Sequence, residues 1–441
     1  MTKQGSLGIV VVVAVVGLTV ACDLTLRAGK VGNKTNAPNP DGSCPTGLTA
    51  CGKDAFARCL DLQNDREHCG ACDNACVLGI ACAAGVCQQA ACSGPLSLTP
   101  GPVASQNTQV WPRYTSADMN GDGKLDLVEW SDSGAIRILL GNGDGSFSPG
   151  FSSPAWAAAN GYVMDQFVVV GDFNEDGRPD LAVPVPGRAD AVDVWFGNGD
   201  GSLQQRQQRA GQPMSNLFVG DVNRDGHLDL VLSNSNNDGI AVLLGRGDGT
   251  FNKSGDFPAG EQAVEVVIRD WDGDGTPDLL TMSSTLHVLL GIGNGKFAKQ
   301  LDCGIAIDLR ETVIADFNQD GKQDVAAFSY PGQWISVMLG DGRCGFTPRN
   351  DYATSAVPIL LVGGDVTGDG ILDLVEVDID DIQSHTLTLV GNGDGTFTPS
   401  VQLTGPRNVR DIVIGDFNGD GRADVLVSDD QGVHVELNAC K

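Results

Sequence analysis

The chain has 441 residues, with 56 Asp and Glu against 28 Lys and Arg, a formal charge of −28 and 59 Gly. So acidic a surface excludes nucleic acid as a partner, because phosphates are held by basic side chains, and a hydrophobic content of 41% excludes wholesale disorder. Thirteen Cys, crowded before residue 93, point to an oxidising compartment and hence to export.

Residues 1–21 read as a signal peptide: Lys3, an apolar run from Leu7 to Val20, and a small residue, Ala21, before Cys22. The run falls short of the about 20 apolar residues that a spanning helix needs. Its ending, Leu18-Thr19-Val20-Ala21-Cys22, resembles the bacterial lipobox, with Thr19 where that motif usually has Leu. The resemblance implies a lipid on Cys22, the sole membrane attachment expected, and a place in a bacterial cell envelope; ordinary secretion is the alternative. Residues 22–43, rich in Gly, Asn, Thr, Pro and Lys and without a period of 2 or 3.6, predict a flexible tether.

Residues 44–92 hold Cys44, Cys51, Cys59, Cys69, Cys72, Cys76, Cys82, Cys87 and Cys92. A segment this small cannot build a good apolar core, and disulfides are the natural substitute. Zinc is the weaker reading, since Cys69-Gly70-Ala71-Cys72 has no second CxxC to complete a site. The stretch from Cys59 to Cys87 resembles the Cys-rich repeat of the stigma-specific protein family, which implies a disulfide scaffold and no known activity. With Cys22 lipidated, twelve Cys remain. The expected pairing is eight within residues 44–87, Cys92 with Cys440, and Cys303 with Cys344.

From residue 93 to the end the chain repeats. A nine-residue string begins at Asp118, Asp172, Asp221, Asp270, Asp316, Asp365 and Asp416. Asp also fills place 5 (Asp122, Asp176, Asp225, Asp274, Asp320, Asp369, Asp420) and place 9 (Asp126, Asp180, Asp229, Asp278, Asp324, Asp373, Asp424). Place 3 is Asn120, Asn174, Asn223, Asp272, Asn318, Thr367 and Asn418, and place 6 is always Gly. This is a pattern for a hard cation. Side-chain oxygens at places 1, 3, 5 and 9, with a backbone carbonyl at place 7, can wrap one Ca²⁺, and the Gly permits the sharp turn. Place 7 is Lys124, Arg178, His227, Thr276, Lys322, Ile371 and Arg422, where the backbone matters more than the side chain. Polar turns alone would not need acids at the same three places seven times. Six or seven Ca²⁺ per chain are expected, with the sixth site weakened by Thr367. Mg²⁺ suits the loop less, because it keeps its waters.

An EF-hand opens in the same way but is flanked by helices and carries Glu at place 12. Here β-like runs such as "QFVVVGD" and "DLAVPV" flank the loop, and place 12 is Glu only at Glu129 and Glu376. A second string follows six of the loops, as in "LLGNGDGSF" ending at Phe147 and "LVGNGDGTF" ending at Phe397. Without a following helix it is no dinucleotide fingerprint. The paired strings resemble the FG-GAP, or VCBS-type, repeat of integrin α-subunit propellers. That resemblance implies an all-β fold: a seven-bladed β-propeller with four strands per blade, preceded by the small disulfide-rich module. The seventh copy lacks its second string, so Gly94–Val103 is expected to supply the missing outer strand and close the ring.

Catalysis is not expected. The five His form no HExxH, no GxSxG elbow occurs, and the repeated acids are committed to metal. The six Trp occupy different phases of the repeat, unlike a multi-site lectin, and Arg246-Gly247-Asp248 occupies the turn that Asn142-Gly143-Asp144 fills elsewhere. The sequence reads as a surface or secreted binding or adhesion protein whose calcium is structural and whose partner is an extracellular protein or glycan. The alternatives are a carbohydrate-binding or polysaccharide-acting propeller and a purely structural envelope protein.

Overall fold

The computed structural model describes residues 49–51, 58–60, 82–83, 86–87 and 98–105. From 112 to 438 it describes all but 132–134, 154–167, 185–191, 207–215, 235–238, 260–264, 283–284, 299–300, 307–308, 330–331, 349, 380–383, 406–408 and 430–431. The expected signal peptide, Cys22, the tether, most of the Cys-rich module and the Cys92–Cys440 pairing lie outside these residues. Within the module, two short antiparallel pairings are described, Thr49–Cys51 with Arg58–Leu60 and Cys82–Ala83 with Val86–Cys87.

The seven repeats build seven four-stranded antiparallel sheets, and among the described residues there is no helix. Blade 1 runs Pro112–Ala117, Asp126–Ser131, Ile136–Gly141 and Phe147–Ser152, and blades 2 to 6 repeat that order. The second strands read as continuous apolar runs because both of their faces are covered. In Asp278–Met282 every residue is buried, with Leu279 packing toward blade 3 and Leu280 toward blade 5. Alternation of side chains across the pleat is what sends neighbours to opposite blades. The outer strands face solvent on one side, as the exposed residues of Phe251–Pro258 show.

Seven buried clusters, one between each pair of successive blades, form the core. The last cluster joins Val413, Phe417, Leu426 and Val433 of blade 7 to Tyr114, Leu127 and Leu139 of blade 1, so the ring is closed. Blade 7 takes its inner three strands from Asp411–Gly415, Asp424–Asp429 and Gly432–Asn438, and its outer strand from Leu98–Ser105 at the other end of the domain. Asn438 pairs with Leu98 and Val433 with Ser105. The closing strand was expected at Gly94–Val103, and within the described residues it spans Leu98–Ser105. Closure by the N-terminal strand removes the open edge that the short last repeat would leave.

Candidate metal loops and the face they build

Every nine-residue string forms the turn between the first and second strands of its blade. Its place 9 aspartate opens the second strand, paired with the last residue of the first, as Asp180 pairs with Gly171 and Asp229 with Gly220. That aspartate is almost fully buried in all seven blades. Its carboxylate binds the fold together: Asp126 accepts the Met119 N–H at 2.9 Å and the Gly141 N–H at 2.8 Å, and Asp229 accepts Val222 and Gly245, both at 2.8 Å. One oxygen therefore holds the loop and the other holds the start of the second string.

The place 1 aspartates accept backbone N–H groups from the middle of the loop. Asp118 accepts Gly121, Asp122 and Gly123 at 2.7, 3.0 and 2.8 Å. Place 3 accepts the place 5 N–H in six loops, for example Asn223 from Asp225 at 2.8 Å, and Asp272 from Asp274 at 3.0 Å. In the sixth loop Asp369 N–H goes to Asp365 instead, and the hydroxyl oxygen of Thr367 is buried without a hydrogen-bond partner.

Place 6 Gly is left-handed throughout, as at Gly275 with φ +91°. The sequence reading missed that place 4 is left-handed too. It is Gly in four loops, but Glu175, Arg224 and Gln319 hold φ of 57–60° there, a conformation costing a non-glycine residue roughly 1 kcal/mol.

The donor set fits a hard cation. All the repeated side-chain donors except Thr367 are carboxylate or amide oxygens, and in the fourth loop one carboxylate oxygen each from Asp270, Asp272 and Asp278 lies within 4.8 Å of the others. Asp274, at place 5, is outside that group, so the geometry draws together places 1, 3 and 9. Burial, reinforced by neighbouring aspartates, pushes the place 9 carboxyls up to about 6 at Asp278 and Asp324. The same cause takes Asp126, Asp180, Asp373 and Asp424 to about 7 and Asp229 to about 8, even though each accepts at least two backbone N–H groups.

Place 7 was assigned only a backbone role, yet its side chains do more. Lys124, Arg178, Lys322 and Arg422 reach back to the place 5 carboxylate of their own loop, at 4.0, 3.8, 3.2 and 3.4 Å. His227 pairs instead with Glu175 of the preceding blade's loop. These pairs are partly exposed and individually contribute little.

The second string is an inter-blade stitch. Its closing aromatic packs on the place 2 side chain of the preceding loop: Phe147 on Phe417, Phe251 on Phe173 and Phe397 on Phe317, with ring centroids 5.4–6.0 Å apart. The place 2 carbonyl also accepts a turn N–H, from Gly145 to Phe417 at 3.0 Å and from Gly249 to Phe173 at 2.7 Å. Blade 7 lacks the string, and Asn438 replaces it by donating its side-chain amide to the Val366 carbonyl at 2.7 Å. Large apolar residues at place 2 in every copy were the available signal. The Arg246-Gly247-Asp248 turn is built like its equivalents, with Asp248 accepting the Thr250 N–H at 2.9 Å as Asp144 accepts Ser146. Trp130, Trp195 and Trp271 are buried in the inter-blade clusters.

A closed ring of seven four-stranded blades, with acidic loops and stitches gathered on one face, defines a seven-bladed β-propeller. The chain belongs to the FG-GAP-like repeat family, which matches residues 118–183, 221–281, 316–376 and 380–427, more than half of the sequence. Among solved structures it is similar to an Agrocybe aegerita lectin described as recognising non-reducing terminal N-acetylglucosamine. The two are 20% identical, with a TM-score of 0.51 over 80% of this chain and 98% of that one. It is also similar to BBS1N, solved in complex with ARL6DN, at 11% identity and a TM-score of 0.54 over 79% and 98% of the two chains. At these identities the likeness establishes the fold.

Proposed function

We propose that this protein is an exported binding or adhesion propeller in which calcium is structural and chemistry is absent. The observation that carries this reading is the sevenfold recurrence of an oxygen-only loop whose buried place 9 carboxylate also fastens two strands. In each loop the side chains at places 1, 3, 5 and 9 would hold the ion, in the third loop Asp221, Asn223, Asp225 and Asp229, with the His227 carbonyl at place 7. The ion supplies positive charge that offsets the repulsion among the carboxylates. Each site should suit an extracellular module, at roughly 0.1–1 mM.

In this reading the tether at residues 22–43, anchored by lipid on Cys22 or freed by secretion, holds the disulfide module of 44–92 and the propeller of 93–441 outside the cell. The partner docks away from the loop face. Partner recognition by the similar propellers, of a sugar in the lectin and of ARL6DN by BBS1N, supports an extracellular glycan or protein as ligand. A carbohydrate-binding or polysaccharide-acting protein is the second reading, favoured by the lectin likeness; a purely structural envelope role is the third. Melting the mature protein in millimolar calcium and in EGTA tests the metal, and an unchanged melt overturns structural calcium. A glycan array then separates the readings: saturable binding of one sugar class selects the lectin, and none selects a protein partner or a structural role.

A further inference from the structure

Place 12 of the repeat is glutamate twice, at Glu129 in blade 1 and Glu376 in blade 6, and both are buried, with 2% and 0% exposure. Around Glu129 the chain supplies polar partners. Arg137, directly across on the third strand, donates from Nε at 2.9 Å and also from Nη2, and the Tyr114 hydroxyl on the inner strand lies 3.3 Å away. In blade 6 the same two places are Leu387 and Leu361. Neither oxygen of Glu376 has a hydrogen-bond partner.

Glu376 shares its face of the strand with Leu374, which packs in the cluster joining blades 5 and 6 beside Phe328, Ile335 and Val337. The same face ends in Asp378, whose Oδ2 clasps the connection between the two blades, accepting Ser355 N–H at 2.8 Å, Ser355 Oγ at 2.6 Å and Ala356 N–H at 2.8 Å. Asp378 Oδ1 has no hydrogen-bond partner. The titratable groups facing Glu376 among the described residues are Asp378 on its own strand, His385 across from Asp378 on the third strand, and Tyr352 from the outer strand of blade 5. The Tyr352 hydroxyl is taken up by Asn350 and the Phe397 N–H. No cation stands where Arg137 stands beside Glu129. A carboxylate in such surroundings costs several kcal/mol more than the neutral acid. Burial accordingly raises the Glu376 carboxyl well above its usual value, and the charge of Asp378 adds to the effect.

We propose that Glu376 is a proton-held latch: while its carboxyl is neutral the seam between blades 5 and 6 is closed, and loss of the proton to water at alkaline pH loosens that seam and the 354–356 connection. The affinity for protons is higher in the folded than in the unfolded chain. The latch's contribution is therefore complete below the unfolded value near 4.5 and is lost as pH rises through the folded value.

The test follows melting temperature and amide exchange at Ser355 and Ala356 from about pH 5 to about pH 9, in the full chain with calcium present throughout. The wild type is compared with Glu376→Gln and with Glu376→Leu, which matches its apolar surroundings and stands in if the amide fails to fold. The wild-type Tm is expected to fall by about 2–4 °C per pH unit more than the variants up to the folded pKa, with exchange at the connection accelerating only in the wild type. An infrared band from a protonated carboxylic acid at neutral pH, absent in the variants, is the independent signature. Equal pH slopes in wild type and variant, or no such band, overturn the latch.

Discussion

Cys344 holds a left-handed backbone, φ +64°, and is disulfide-bonded to Cys303 of the preceding blade across a Cα–Cα distance of 4.7 Å. In the other blades with a second string this turn position is Gly. A Cβ placed there would come within 2.3–2.9 Å of a side chain of the preceding blade: Leu437, Leu140, Phe196, Leu244 or Leu339. The stitch thus aims every such turn at its neighbour, and between blades 4 and 5 the aim is made covalent. The expected Cys303–Cys344 pairing is present.

Because this bond joins residues 41 apart in sequence, opening it should destabilise the propeller by about 4 kcal/mol. Cys303→Ser melted beside the wild type checks this. Non-reducing peptide mapping should recover the two cysteines linked, and a melt unchanged by reductant would contradict the stabilisation.

Places 5 and 9 of a loop should separate metal from fold. Asp229→Ala leaves the buried N–H groups of Val222 and Gly245 without their acceptor, at about 2–4 kcal/mol even in EGTA, with the weakened ion site adding to that cost in calcium. Asp225→Ala, at an exposed place, should cost little in EGTA and show its effect only in calcium. Denaturant melts of both variants in both buffers give the comparison, and identical behaviour would remove the distinction.

Removing residues up to 105 takes away the outer strand of blade 7 and uncovers Gly432–Asn438 as an edge. Such an edge invites strand pairing between molecules. A chain starting at residue 93 is expected to be monodisperse and one starting at 106 to associate, as measured by light scattering at equal concentration.

Asp411 lies at the seam of the last and first blades, accepting the Tyr114 N–H at 2.8 Å, and burial pushes it up to about 6 despite the nearby Arg113 and two backbone N–H groups. A raised carboxyl favours the folded state most when protonated, so its contribution is complete below about pH 4 and lost as pH rises toward about 6. Asp411→Asn keeps an acceptor for Tyr114 without the charge. The difference in stability between variant and wild type should move in the variant's favour by up to about 3 kcal/mol across that window, and a constant difference would refute the shift.

The nine-residue string was legible because a local loop needs its residues at fixed places: Asp at 1, 5 and 9 and Gly at 6 specify oxygen donors and a turn whatever surrounds them. The seven copies set the blade count, and the all-β propeller was what the resemblance of the paired strings to the FG-GAP repeat implied. Less local features were only partly visible. The left-handed place 4 was hidden because Glu175, Arg224 and Gln319 tolerate a conformation that glycine would have advertised.

By itself, then, the sequence determined the repeat, its donor chemistry and the need for an outside strand to finish the last blade, because each is written in residues close along the chain or in a missing copy. Tertiary structure alone decided what those residues touch. Phe147 meets Phe417 across the closing seam, and Glu129 meets Arg137 where Glu376 meets Leu387. Identical places in a repeat acquire different neighbours once the ring closes: Glu129 is paired with a cation, whereas burial beside leucine raises the Glu376 carboxyl above its usual value.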